Sequence, residues 1–155
     1  MKRNKNLIEL SRDHHHGLLL GWKIKQGIKN LVAIEELVNY VIHFCTKALF
    51  PHFKEEEEHV LIYLDAGNNF HKRTLAEHLE IQDLVKKIST SGMANYEMLL
   101  SLASMVEAHI RFEERELFPY IESKVSMEEL DEMGKLISDL HQPYLESYEN
   151  AFWAR

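Results

Sequence analysis

The chain has 155 residues, of which 45% are hydrophobic and 28% are charged, with six glycines and three prolines. This length suits one domain, and the composition favours a folded, helix-rich protein over a disordered one. The formal net charge of −7 argues against nucleic acid as a partner. Cys45 is the single cysteine, so an internal disulfide and a thiolate cluster are excluded, and any metal must have nitrogen and oxygen ligands.

Apolar residues recur at steps of three and four, which is typical of amphipathic helices, and strand-like alternation is nearly absent. Breaks are marked by Asn30, by the turn at residues 65–69, by Ser91 and Gly92, and by a capping box of Ser126 with Glu129. The pattern predicts four long helices and a short fifth, over residues 5–29, 34–66, 70–90, 95–124 and 127–141.

These short connections make neighbouring helices antiparallel. We therefore predict an all-α fold, an up-down-up-down four-helix bundle with a short fifth C-terminal helix, as a single domain over residues 1–155. The aromatic end at Phe152 and Trp153 is expected to pack back on the bundle or, as the less favoured alternative, on a partner. No apolar run is long enough for a signal peptide or a membrane span, so a cytoplasmic protein without a membrane partner is expected.

Ten histidines are many for a chain of this size, and histidine is the commonest metal ligand among side chains. Residues 52–63 and 109–120 align without a gap, pairing histidine with histidine and glutamate with glutamate. The two segments lie on the second and fourth helices, which are parallel in such a bundle. The repeat therefore places two His-x-x-x-Glu pairs at one level of the core, namely His52 with Glu56 and His109 with Glu113.

Both pairs interrupt apolar stripes, where residues four apart share one helical face. Burying an isolated charge costs several kcal/mol, and two facing carboxylates repel each other. A dinuclear metal centre resolves both problems, because the carboxylates offset part of the metal charge and the imidazoles complete the coordination.

The other two helices are expected to supply ligands at the same level. On the third helix, His78 belongs to a stripe that contains Leu75 and Ile81. On the first helix, three consecutive histidines are separated by about 100° each. The helical wheel favours His14 and leaves His15 as the alternative.

The remaining polar residues receive plainer interpretations. The acidic run at residues 55–58 is expected to be mostly a solvated face, with Glu56 as the exception. His141 ends the fifth helix, where a favourable interaction with the helix dipole explains it. His59 and Glu116 form either an inward pair one turn beyond the metal or, with more weight, two residues at the solvent edge.

Taken together, the residues resemble the hemerythrin-like, or HHE cation-binding, family over about residues 8–125. The motifs that carry the resemblance are Asp13-His14, His52 with Glu56, Glu77-His78, and His109 with Glu113-Glu114. The resemblance implies two iron ions, bridged by Glu56, Glu113 and an oxo or hydroxo group. The terminal ligands that it implies are His14, His52, His78 and His109.

One position departs from the oxygen-carrying members of that family, which have a second histidine one turn before the one on the third helix. Thr74 occupies that position, and His71 lies about 10 Å from His78 along a helix. Four histidines and two glutamates leave room for water or a ligand. Sensing, storage or redox chemistry is therefore favoured over reversible oxygen carriage.

The leading hypothesis is a diiron protein that binds dioxygen or a related diatomic, in oxygen, nitric oxide or iron sensing or in storage, as a monomer or homodimer. The alternative is a diiron enzyme of the iron-sulfur-cluster repair or nitric oxide/peroxide reductase type. A ferritin-like site needs Glu-x-x-His on two helices, and only Glu56 with His59 fits. A purely structural bundle would leave the inward histidines and glutamates unexplained.

Overall fold

The computed structural model describes residues 2–90 and 92–154, which form helices and turns and no strand. None of the helices in these ranges has the length and apolar character needed to cross a bilayer. In the four-helix bundle, α1 spans Ile8–Lys29 and α3 spans Asn69–Thr90. Helix α2 runs through Ile34–Phe44, Cys45–Leu49 and Phe50–His59, and α4 through Tyr96–Phe112, Glu113–Leu117 and Phe118–Lys124. The short α5 spans Met127–Leu140, and single helical turns occupy Leu61–Tyr63 and Phe152–Ala154.

The helix ends follow the predicted signals. The Ser126 hydroxyl accepts the backbone N–H of Glu129 at 3.1 Å, so the capping residue at the start of α5 is confirmed. The N–H of Asn30 closes α1 on the carbonyl of Gln26 at 2.9 Å. Gly92 follows α3 with a φ of 63°, which glycine adopts readily, while the predicted break at Ser91 lies outside the described residues.

Both α2 and α4 pass through a proline without ending. In α2, the N–H of Phe50 bonds to the carbonyl of Cys45, five residues earlier, so the turn before Pro51 is a widened π turn. Proline has no N–H and its ring displaces the carbonyl four residues back, and a wider turn accommodates both effects. The same arrangement precedes Pro119 in α4. In α2 the widened turn lies directly before His52.

The core consists of two apolar clusters at opposite ends of the bundle. Helix α5 belongs to the second cluster and covers that end of the bundle, and Phe152 is fully buried in the first, as the sequence predicted. The first cluster includes Leu20, Ile24, Val41, Val85 and Val106. The second includes Leu10, Val60, Phe118, Ile121 and Met133. The level between the two clusters is where the polar site lies.

Candidate metal centre

Each bundle helix sends one histidine into the space between the two apolar clusters. None of these four residues exposes more than 5% of its surface, and the two glutamates that follow one turn later on α2 and α4 expose none. The histidines are His14, His52, His78 and His109, and the glutamates are Glu56 and Glu113. The structure therefore brings six of the seven candidate residues together.

The seventh candidate, His15, lies outside this cluster. Its side chain is exposed and its ring packs against that of His16, with the centroids 5.7 Å apart. One residue along a helix turns the side chain by about 100°, which separates it from the inward His14. The inward residue of α1 is therefore His14, and the alternative candidate, His15, is not part of the cluster. His59 and Glu116 also stay at the edge, since Glu116 is 52% exposed and the nearest carboxylate to His59 is 4.0 Å away.

The six residues form two groups of four that share both glutamates. In each group, one ligand atom from each residue lies within 4.8 Å of all the others. The first group is His14, His52, Glu56 and Glu113, and the second is Glu56, His78, His109 and Glu113. Two carboxylates common to two pairs of imidazoles are the arrangement expected of a dinuclear centre with carboxylate bridges.

Several polar atoms at this point have no hydrogen-bond partner among the described residues. They are Nε2 of His52, His78 and His109, both carboxylate oxygens of Glu56 and Oε2 of Glu113. Leaving a buried polar atom unsatisfied costs about 1–3 kcal/mol, and more for a charged group. The atoms nonetheless lie close together, with Nε2 of His52 and His78 3.3 and 3.2 Å from Oε1 of Glu56. Cations bound between them would satisfy all of these atoms at once, so the residues present fit a metal centre.

In each of these four histidines, the ring nitrogen Nδ1 lies within hydrogen-bond distance of a carboxylate on a neighbouring helix. The four Nδ1 distances are 2.8 Å to Asp13 from His52, 2.7 Å to Glu57 from His78, 2.8 Å to Glu77 from His109 and 2.8 Å to Glu114 from His14. An ionised carboxylate can only accept a hydrogen bond, so Nδ1 carries the proton. Nε2 then faces the centre as a possible ligand atom.

These four carboxylates, Asp13, Glu57, Glu77 and Glu114, form what we call the carboxylate ring. Each of them is adjacent in the sequence to an inward residue. Each accepts a hydrogen bond from the inward histidine of the next helix, so the contacts run from α1 to α2, from α2 to α3, from α3 to α4 and from α4 back to α1. Adjacent residues on a helix point about 100° apart, so one faces the centre while its neighbour faces the adjoining helix.

The interpretation of residues 55–58 as a solvated face was wrong at two positions. Glu57 accepts from His78, and Glu55 accepts from His141 at 2.9 Å. Hydrophobic periodicity gives no signal for such residues, because they lie at the edge of the buried stripe. The only sequence signal was their position beside an inward ligand candidate, and it becomes useful only once the helix neighbours are known.

The pKa values describe how strongly the site attracts positive charge when no metal is present. Burial lowers the pKa of His109, but the charge and hydrogen bonding of Glu113 outweigh burial and raise it to about 10. Burial raises the pKa of Glu113, yet the charge of His109 and its other hydrogen-bonding neighbours bring it well below the usual range. Burial likewise raises the pKa of Glu114, but its hydrogen bonds from His14 and Ser11 hold it at about 2. The lowered pKa values keep Glu113 and Glu114 ionised.

A cavity of about 40 Å³ lies beside the centre, which exceeds the roughly 10–15 Å³ that a single water needs. Its inner side is formed by His14, His52 and His109, and its walls include the apolar Phe44, Val106 and Ile110. The cavity gives a small molecule a place next to the candidate ligands.

Two further residues on α3, Thr74 and His71, lie outside the set of candidate ligands. Thr74 is fully buried, and its hydroxyl donates to the carbonyl of Phe70 at 2.7 Å, so the hydroxyl proton is used within the helix. The His71 ring lies 3.0 Å from the carbonyl of Leu64 and belongs to neither four-residue group. The centre therefore has one histidine from α3, as the spacing predicted.

A four-helix bundle with a buried nitrogen and oxygen cluster defines a class of metal-binding helical proteins. The model of one family, described as "Hemerythrin HHE cation binding domain", matches residues 6–121. The chain belongs to this family, and the inferred resemblance is confirmed. A search of the curated proteins and a search of the solved structures gave no match. Cation binding is the property that the family description and the buried cluster support together.

The carboxylate ring can be tested with a pair of neighbouring residues. We expect Glu57→Ala to weaken metal binding by about 10–100-fold, the usual cost of removing the partner that orients a ligand histidine. Glu58→Ala is the matched control, because Glu58 is 52% exposed and its nearest cation, Lys54, is 3.9 Å away. Competition titration with cobalt(II) measures both affinities. Equal affinities in the two variants would contradict an orienting role for Glu57.

Proposed function

We propose that the protein holds two iron ions and binds dioxygen or a related small diatomic there, as a sensor or store rather than as an enzyme. The observation that carries the proposal is that both glutamates are shared between two pairs of histidines. Imidazole and carboxylate ligands suit iron among the common metals. The proposed ligands are His14, His52, His78, His109, Glu56 and Glu113.

Each residue would have a distinct part in holding the ions. Glu56 and Glu113 would bridge them, since each belongs to both groups, and the histidines would bind in pairs, two from α1 and α2 and two from α3 and α4. The carboxylate ring would orient the imidazoles and raise their basicity. A pair of iron ions would supply one-electron redox chemistry and a coordination position for a small ligand.

The surroundings favour a small uncharged ligand. The bundle places apolar clusters on both sides of the centre, so water is limited and the effective dielectric constant is low. The cavity beside the centre has a volume of about 40 Å³, which suits a molecule of two atoms better than an organic substrate. Its lining includes the apolar Phe44, Val106 and Ile110 and the charged Asp13, Lys47 and Glu55. The cavity is lined by both histidines of the first group, His14 and His52, so the ligand would bind beside that group.

Metal analysis combined with an absorption spectrum tests this function. We expect aerobically purified protein to contain about two irons per chain and to show the visible absorption of a ferric pair. After anaerobic reduction, adding dioxygen or nitric oxide should change the spectrum. Protein that stays iron-free after expression in iron-rich medium would overturn the proposal. Catalytic turnover of nitric oxide or peroxide well above that of dissolved iron would favour the enzymatic alternative instead.

A further inference from the structure

The residues after α5 run along the bundle surface next to the centre. Residues 141–151 form no helix, and the short turn Phe152–Ala154 follows them. We call residues 141–154 the C-terminal strap. It lies beyond residues 6–121, which match the family model, so the strap is additional to the part of the chain that the family defines.

The first attachment of the strap is His141, whose side chain is only 4% exposed. Its Nδ1 lies 2.9 Å from Glu55, and its Nε2 lies 3.2 Å from Oδ1 of Asp13. The other oxygen of Asp13 accepts from His52 at 2.8 Å. A single carboxylate therefore connects the strap to a proposed metal ligand, and helix-dipole stabilisation alone does not account for His141.

The second attachment is Glu146. Its carboxylate accepts from Lys23 at 2.8 Å and from the Tyr40 hydroxyl at 2.7 Å. Lys23 is 6% exposed, and a buried ammonium group needs a partner of opposite charge. Farther along, Phe152 is fully buried and packs where Gly27 has no side chain, since a Cβ there would lie 3.0 Å from its ring. The strap is thus fixed at three points.

Between the first two attachments, the strap contributes Gln142 and Tyr144 to the lining of the cavity beside the centre. The Tyr144 ring packs against Phe44, with the centroids 5.4 Å apart, and its hydroxyl donates to Glu146 at 3.0 Å. The ring is therefore held in place by two contacts, and it lines a cavity that the candidate ligands His14, His52 and His109 also line.

We propose that the strap is the outer wall of the ligand cavity, and that Tyr144 determines the size and the rate of entry of molecules that reach the metal ions. Small uncharged molecules would pass this wall, and larger ones would be excluded. The identity of the entering ligand rests on the proposed function. The wall does not, because the strap would line the cavity whether or not metal is bound.

Xenon NMR on the metal-free protein tests the wall by itself, because xenon enters small apolar cavities. We expect Tyr144→Ala to speed xenon exchange by about tenfold, the effect of a barrier lower by ~1.4 kcal/mol. Tyr148→Ala is the matched control, since Tyr148 is in the same strap but packs on Tyr40 and His43, 5.0 and 4.9 Å between centroids, and does not line the cavity. The control should exchange xenon like the wild type.

Nitric oxide binding to the reduced, iron-loaded protein tests the same wall at the metal, because nitric oxide is small and uncharged. We expect Tyr144→Ala to bind nitric oxide about tenfold faster. Gln142→Trp adds bulk at an exposed position, so it should fold and should slow nitric oxide binding, which keeps the proposal testable if Tyr144→Ala does not fold. Unchanged rates in both variants would overturn the role of the strap. Wild-type protein that stays iron-free after expression in iron-rich medium, but shows slow, Tyr144-dependent xenon entry, would reject the proposed function and support the wall.

Discussion

Glu113→Gln is expected to abolish the binding of both metal ions. Glu113 is fully buried and belongs to both four-residue groups, so the variant removes the negative charge that the groups share and replaces one of the two carboxylate oxygens by an amide nitrogen. Removing an orienting partner typically costs 10–100-fold in affinity, and the loss of a shared ligand should exceed about 100-fold. Iron analysis after dialysis and a cobalt(II) competition titration measure the effect.

Glu116→Gln is the matched control for this experiment. The substitution is the same, on the same helix, but Glu116 is 52% exposed and its one ion-pair partner among the described residues is Arg73, at 3.6 Å. Its metal content should equal that of the wild type, and circular dichroism should show equal helix content in both variants. A Glu113→Gln protein that retains the full metal content would refute the assignment of the shared carboxylate.

The second large effect is on stability. Iron(II), added without oxygen at about 100 times its dissociation constant, should raise the free energy of unfolding by about 2.7 kcal/mol for each ion, or about 5.4 kcal/mol for two. For a domain of this size each kcal/mol moves the melting temperature by about 2–4 °C, so a rise of roughly 10–20 °C is expected. The physical reason is that six of the buried ligand atoms, on His52, His78, His109, Glu56 and Glu113, lack hydrogen-bond partners within the described residues, and bound cations would satisfy them. Thermal unfolding followed by circular dichroism provides the measurement.

A double variant, His52→Ala with Glu113→Gln, separates specific from general metal effects. It removes one histidine and one shared glutamate from the first group, so iron should no longer raise its melting temperature. If the double variant were stabilised as much as the wild type, the metal would be acting at another place. If iron had no effect on the wild type, the buried polar cluster would need a different explanation.

The ligand candidates could be predicted because they obey the same periodicity as the core. His52 with Glu56 and His109 with Glu113 are each four residues apart within apolar stripes, so a helical face identified them without tertiary information. The third helix shows where this reasoning fails. Leu75 was placed in its stripe but is 39% exposed. Thr74 is buried instead, since its hydroxyl bonds back to the helix and removes the cost of burying it.

Interactions between helices could not be predicted in the same way. The run at residues 55–57 sends three glutamates toward three different partners, His141, the metal centre and His78. Periodicity identifies only the inward one, because the other two are stabilised by elements distant in the sequence. The same limitation applies to the strap, in which Glu146 holds the buried Lys23. Such pairs follow from the packing of the bundle and not from local pattern.

The central claim is that six side chains from four helices hold a pair of metal ions. An anomalous difference map at the iron absorption edge, from crystals of the iron-loaded protein, tests it most directly. We expect two peaks between Glu56 and Glu113, one beside His14 and His52 and the other beside His78 and His109. A map without a peak inside the bundle, or with iron only at surface carboxylates, would contradict the claim.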